Sequence, residues 1–183
     1  MWELILFIFA HFLIISEGGW KMQGDGVYSV IDVDKCDTEI EDAIMTFEVE
    51  KHYINHTHEV FNAKISATMD IDNTFGLVIE VCKLVDGGCK HYFSIIDNME
   101  NLLNKYAKKN LEEALRCAGL DQKNLPIPKG NYEVKDLVMD YCHMPTSDQY
   151  YGSYEAEIYF MKDDKRVGCL KTAAEFKEDD TCF

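Results

Sequence analysis

His52, His56 and His58 are spaced as metal ligands could be, because alternate residues of a β-strand share a face and can converge on one ion. The strand they would need is broken by turn signals at Asn55 and Thr57. The three read as surface polar residues, and no metal is expected. Nucleophilic catalysis has no frame either, since no serine lies in a G-x-S-x-G elbow. Gly87-Gly88 is not followed by the Lys-Ser/Thr of a phosphate loop, and the carboxylate pair Asp163-Asp164 falls in the polar turn Lys162 to Lys165, where Asp is ordinary. No residue set argues for an enzyme, and none calls for a cofactor.

Cysteines at 36, 82, 89, 117, 142, 169 and 182 are the remaining reactive groups. They follow an apolar run, Leu4 to Ala10 and Phe12 to Ile15, that is too short to span a bilayer and is followed by the small residues Ser16 and Gly18. Residues 1–18 are therefore expected to be a signal peptide and 19–183 a single domain, secreted or extracellular, with the lysosome as the alternative. Glu3, with no Lys or Arg before the apolar run, keeps a signal anchor open. Behind a signal peptide the cysteines read as disulfides, and no C-x-x-C pair suggests a zinc site. Their odd number leaves one thiol over, for which Cys182 beside Phe183 is the natural candidate. Asn55-His56-Thr57 is an N-glycosylation sequon, whose use would put Asn55 in a surface loop.

The formal net charge is −15, of which Glu3 and Glu17 belong to the leader. So acidic a chain is a poor partner for nucleic acid, or for anionic membranes at neutral pH. Protonation of carboxylates in an acidic compartment leaves transient membrane contact open.

The elements that would carry a function are mostly strands. Val27, Ile31 and Val33 suggest a short one. Met45, Phe47, Val49 and Tyr53 share a face with Lys51 as the misfit, and Phe61, Ala63, Ile65, Ala67, Met69 and Ile71 form the longest alternation. Phe75 to Cys82 is a more apolar strand that turns at Asp86-Gly87-Gly88. Tyr92, Ile95, Ile96, Met99, Leu102, Leu103 and Tyr106 recur at i, i+3, i+4, which predicts an amphipathic helix; core packing is the ordinary role of such a stripe and lipid contact the alternative. Asn131 to Tyr141 is a strand whose apolar phase shifts between Val134 and Leu137, the mark of a β-bulge. A final hairpin pairs Tyr154, Ala156, Ile158 and Phe160 with Leu170, Thr172, Ala174 and Phe176. About seven strands with one apolar face each, plus a helical insertion, predict a mainly β, immunoglobulin-like antiparallel β-sandwich or β-cup.

Gly152-Ser153-Tyr154 through Lys165-Arg166-Val167-Gly168-Cys169-Leu170-Lys171-Thr172-Ala173-Ala174 resembles the final hairpin of ganglioside activator-like members of the ML lipid-recognition family. Asp34-Lys35-Cys36-Asp37, Gly76 to Cys82 with Cys89, and Lys129-Gly130-Asn131-Tyr132 are similar to three further family segments, in the same order. The resemblance spans Asp34 to Lys177 and is nearest to arthropod secreted relatives, including chemosensory ones. It implies disulfides Cys36–Cys169 and Cys82–Cys89, and a non-enzymatic protein that holds a lipid or other small hydrophobic ligand in a cavity between sheets. Cys117–Cys142 is expected as a third bridge, one the family does not supply. The strand residues expected at such a cavity are Phe47, Phe61, Ile65, Leu77 and Ile79; the helical stripe would add Ile96, Met99 and Leu103, and the hairpin Tyr154, Ile158 and Phe160. Where the family has an apolar membrane-facing loop, residues 144–151 carry Thr146, Ser147, Asp148 and Gln149. The alternative function is an accessory module for a receptor or a lipid-processing enzyme, with Tyr150 and Tyr151 in an exposed interface loop.

Overall fold

A computed structural model describes residues 23–54, 58–142 and 149–178. The expected leader 1–18, Asn55, His56, Cys182 and residues 143–148 of the polar loop lie outside the described residues. Strands β1 (Gln23–Gly24), β2 (Val27–Asp34), β3 (Met45–Ile54), β4 (His58–Ala67), β5 (Gly76–Val85) and β6 (Gly88–Asn98) come first. A helical segment follows, made of α1 (Met99–Leu102), a π-helical turn (Leu103–Ala107) and α2 (Lys108–Cys117), and then β7 (Gly130–Leu137), β8 (Gln149–Tyr150), β9 (Gly152–Lys162) and β10 (Lys165–Lys177). The fold is mainly β and antiparallel, as expected. A five-stranded sheet runs β2-β10-β9-β5-β6, a three-stranded sheet β3-β4-β7, and β1 pairs with β8.

Two expectations are corrected. The stripe from Tyr92 is not helical until Met99: Tyr92, Ile95 and Ile96 belong to β6, which pairs along β5 from Gly76↔Asn98 to Val85↔Gly88. The helix begins where Asn98 supplies a side-chain oxygen to the N–H groups of Glu100 and Asn101, satisfying donors that have no partner in the first turn. It ends at Gly119, whose φ of 75° suits a residue without Cβ and lets Gly119 N–H reach the Arg116 carbonyl and Leu120 N–H that of Leu115. The second correction concerns the third bridge. Cys36–Cys169 and Cys82–Cys89 are formed, but Cys117 at the end of α2 is a free thiol while Cys142 is disulfide-bonded, so the two are not joined.

The phase shift in β7 is a bulge. Ala63 faces Val134 and Phe61 faces Leu137, so β7 carries one residue more than β4 over that stretch. Asp136 takes φ 52° there, and its N–H is held by the Asn62 side chain.

The sheets meet along one edge. Ile44 N–H donates to the Val167 carbonyl at 2.7 Å just before β3 begins, and a Cβ on Gly168 would lie 3.0 Å from the Cβ and carbonyl oxygen of Met45. Cys36–Cys169 ties the β2–β3 connection to β10 at the same corner. On the far side, α1 lies against β5 and β6 while α2 packs on β7, so the helical segment spans from one sheet to the other. Met45, Ala67, Ile71, Phe75, Leu77, Met99, Leu102, Phe160 and Val167 form the buried core at this end.

The misfit Lys51 also acts across this seam. Its ammonium donates to the carbonyls of Val30 (2.8 Å) and Ile31 (3.2 Å) on the edge strand β2 and pairs with Glu59 at 2.9 Å. A lysine at an apolar position is tolerated because every charge-bearing contact is made.

Two outcomes follow for stability. Opening the 133-residue separation of Cys36–Cys169 by a double Ala substitution should cost on the order of 5 kcal/mol on the loop-entropy model, against about 2.4 for the 7-residue separation of Cys82–Cys89. Urea unfolding of the two variants checks the order, and equal losses would deny the corner its special weight. Gly168→Val should lose about 1–3 kcal/mol by pushing β10 from Met45, read as a lower urea midpoint at unchanged m.

Candidate ligand-binding face

Register defines one inner face of the five-stranded sheet. On β9 it carries Tyr154, Ala156, Ile158 and Phe160, which pair with Lys83, Val81, Ile79 and Leu77 of β5 and with Ala174, Thr172, Leu170 and Gly168 of β10. Both ends of this face are closed. At the corner end Phe160 stacks on Phe47 of the opposite sheet, ring centroids 4.9 Å apart. At the other end Tyr154 and Phe176 are 2% and 1% exposed in an aromatic cluster, with Tyr28 4.8 Å from Phe176 and 6.0 Å from Tyr154, and Tyr92 5.5 Å from Tyr154.

The middle is different. Ile79, Val81, Ala156, Ile158, Leu170, Thr172 and Ala174 are all only half-buried, as are Val49, Ala63 and Ile65 on the facing side of β3 and β4. Small side chains explain this: Ala156 and Thr172 form a row where the end rows carry Phe160 and Tyr154, and Ala174 stands beside Tyr154. A sandwich that packed to normal interior density would bury these positions. Here they form an apolar depression between two aromatic closures.

The expected cavity residues divide accordingly. Phe61, Leu77, Met99, Tyr154 and Phe160 are buried in the closures and the core, whereas Phe47, Ile65, Ile79, Leu103 and Ile158 are half-buried. Ile96 lies opposite Val78 on β6 and is 76% exposed, away from the other ten. What periodicity did not bring out is the run of small residues Ala156, Thr172 and Ala174, whose alternation was legible but whose size is what opens the face. Lys83 was missed as well, although its odd-numbered phase after Leu77, Ile79 and Val81 already placed it on that side.

A groove of about 890 Å³ runs between the β2–β3 connection and the three-stranded sheet, and shares Met45, Phe47, Ile65 and Gly168 with the corner end of this face. Its walls also carry Lys35, Asp37, Glu39, Glu48, Lys64 and Glu133. Hydrocarbon placed against those charges would displace their water with nothing in return, so only the side of the groove formed by Met45, Phe47 and Ile65 suits an apolar ligand. Cys82, Cys89 and Glu155 converge within 4.8 Å, but both sulfurs are committed to a disulfide and offer no thiolate to a metal.

No family model matches the chain, and no curated protein does. Among solved structures, that of chicken MD-1 complexed with lipid IVa is similar at 11% identity with a TM-score of 0.34, over 83% of this chain and 99% of that one.

Burial governs the titration of the aromatic closure. It pushes the Tyr28 phenol up from 10.0 to about 12, with the neighbouring Tyr92 adding to the effect, and it raises Tyr154 for the same reasons. Tyr141 is raised by burial and by its hydrogen bond to Glu59. Below pH 10 these phenols are neutral both folded and unfolded. Above it the unfolded chain releases protons that the folded chain keeps, so stability is lost as pH climbs from 10 through the folded values. Absorbance at 295 nm should accordingly show Tyr28 ionising only at about 12 or with alkaline unfolding, and its ionisation near pH 10 in the folded protein would contradict the closure.

Proposed function

We propose that this chain is a non-enzymatic binding protein of the ML lipid-recognition type, secreted, that holds a lipid or other small hydrophobic ligand on the inner face between its sheets. The observation that carries the reading is the half-buried apolar middle of that face, from Ile79 and Val81 to Ile158 and Leu170, held open by Ala156, Thr172 and Ala174. The hairpin, the short Cys82–Cys89 loop and the Cys36–Cys169 bridge that the sequence resemblance pointed to support the same reading. Among the described residues this face offers no nucleophile beside a base, and what its apolar middle offers a ligand is desolvation.

Desolvation suffices. Each buried methylene contributes about 0.8 kcal/mol, so ten supply roughly 8 before association costs, the scale of micromolar binding. A series of saturated fatty alcohols measured by displacement of a fluorescent apolar probe should therefore tighten by roughly tenfold for every two added carbons until the depression is full. Ala156→Phe should weaken the longer members at least tenfold while leaving the urea midpoint within error. Affinity independent of chain length, or unaffected by filling position 156, would remove the binding function.

A further inference from the structure

The aromatic end of the inner face contains an arrangement that apolar binding alone does not require. Lys83 pairs with Tyr154 on one side and with Lys90 on the other, so two lysines occupy directly opposed positions of the β5–β6 hairpin, with the Lys83 ammonium turned toward Tyr150 and Tyr154 of the inner face. Like charges in directly opposed positions repel, and such pairs usually have a carboxylate nearby. Here neither lysine has a hydrogen-bond or ion-pair partner among the described residues.

The acidic groups nearest in register are on the other face and already engaged: Glu80 with Arg166 at 3.5 Å, and Glu155 with Lys171 at 3.5 Å. Lys83 instead lies over the rings of Tyr150 and Tyr154, 5.0 and 5.6 Å from their centroids. An aromatic face attracts a cation but does not neutralise it. Lys51 supplies the internal comparison. It too is a lysine on an inner face, yet Glu59 and two carbonyls satisfy it. In a chain of net charge −15, leaving Lys83 half-buried and Lys90 beside it without a carboxylate is a specific departure.

We propose that Lys83, with Lys90 on the neighbouring strand, is the anion-binding end of the inner face, and that the ligand is an acidic amphiphile whose carboxylate or phosphate head pairs with the Lys83 ammonium while its chain runs along Val81, Ala156 and Ile158 toward Phe160. The head group relieves the repulsion between the lysines, and the aromatic rings around it exclude water from the ion pair. Tyr92 brings a third polar group, its ring 6.4 Å from that of Tyr150. The order of the site is fixed by register: charge at the hairpin end, then small residues, then the buried corner.

The proposal rests on the inner face taking an apolar chain, and the test separates the two. Dodecanoate, dodecanol and inorganic phosphate are titrated against the full chain at neutral pH and low salt by calorimetry, with Lys83→Met, Lys83→Arg and Lys90→Met as variants. Dodecanoate should bind at least tenfold more tightly than dodecanol, and phosphate without a chain far more weakly than either. Lys83→Met should bring the acid-to-alcohol ratio to about one while leaving dodecanol affinity unchanged; Lys83→Arg should restore it, and Lys90→Met should reduce it partly. If dodecanol binds as tightly as dodecanoate, or the ratio survives in Lys83→Met, the anion site is overturned and the apolar face stands. Phosphate alone binding as tightly as dodecanoate would overturn the coupling of head to chain. If neither amphiphile binds, both readings fall.

Discussion

The constraint on which this structure depends is the close approach of β10 to the start of β3. Gly168 has no side chain because Met45 occupies the space one would need, and the adjacent Cys169 is bonded to the connection that leads into β3. The Ile44 to Val167 hydrogen bond closes the same seam between backbones. With the sheets pinned along this edge, they need not touch along the other, and the helical segment spans the gap instead. Sheets held at one edge and propped at the other leave a middle that their own side chains do not fill. The half-buried inner face is thus a consequence of where the joint lies.

Lys51 and Lys83 show how the same residue type has opposite meanings under that geometry. Lys51 reaches the middle of β2, where the bulge at Ile31 interrupts the ladder to β10, and its charge is consumed in satisfying the Val30 and Ile31 carbonyls. Lys83 stands three strands away in the same row of the five-stranded sheet, Val30, Ala174, Tyr154, Lys83, and its neighbours are rings. Burying an ammonium is costly unless it is paired. On β3 the pairing is internal, and on β5 the ammonium is left with rings alone.

Much of this was legible from residue order, and the failures have identifiable causes. The alternation in β3, β4, β9 and β10 survived because those strands have one apolar and one wet face, and the bulge in β7 was visible as a slip of phase. β6 was misread for the same physical reason that β7 was read correctly. Val81 faces Phe93 and Cys82 faces His91, so Tyr92 is an extra residue, and the slip it introduces puts Tyr92, Ile95, Ile96 and Met99 at helical spacing although all but the last are extended. A bulge in an apolar strand imitates a helix. The disulfide pairings implied by the resemblance were formed because they close the seam and a hairpin. Cys117–Cys142 was not, because spacing along the chain carries no information on whether a helix terminus and a distant loop come within bonding reach. The site itself was legible only as a list of apolar residues; which of them are plugs and which are walls depends on the size of neighbours two strands away.

An apolar face left open also invites self-association, and the edges of the sheets show how that is countered. β2 carries Ile31 as an extra residue between its pairs with Ala173 and Ala174, β6 carries Tyr92 in the same way, and β7 carries its own extra residue near Asp136. A bulge twists an edge away from the flat geometry that another strand could pair with. Lys51 occupies two of the carbonyls that β2 would otherwise offer, and the surplus of carboxylates makes copies of the chain repel one another. The open middle is therefore protected at its borders. A strand from a second molecule meets a bulge at each of these three edges, and at the fourth, β3, whose register with β4 is unbroken, it meets the neighbouring β2, to which Lys51 reaches across the seam.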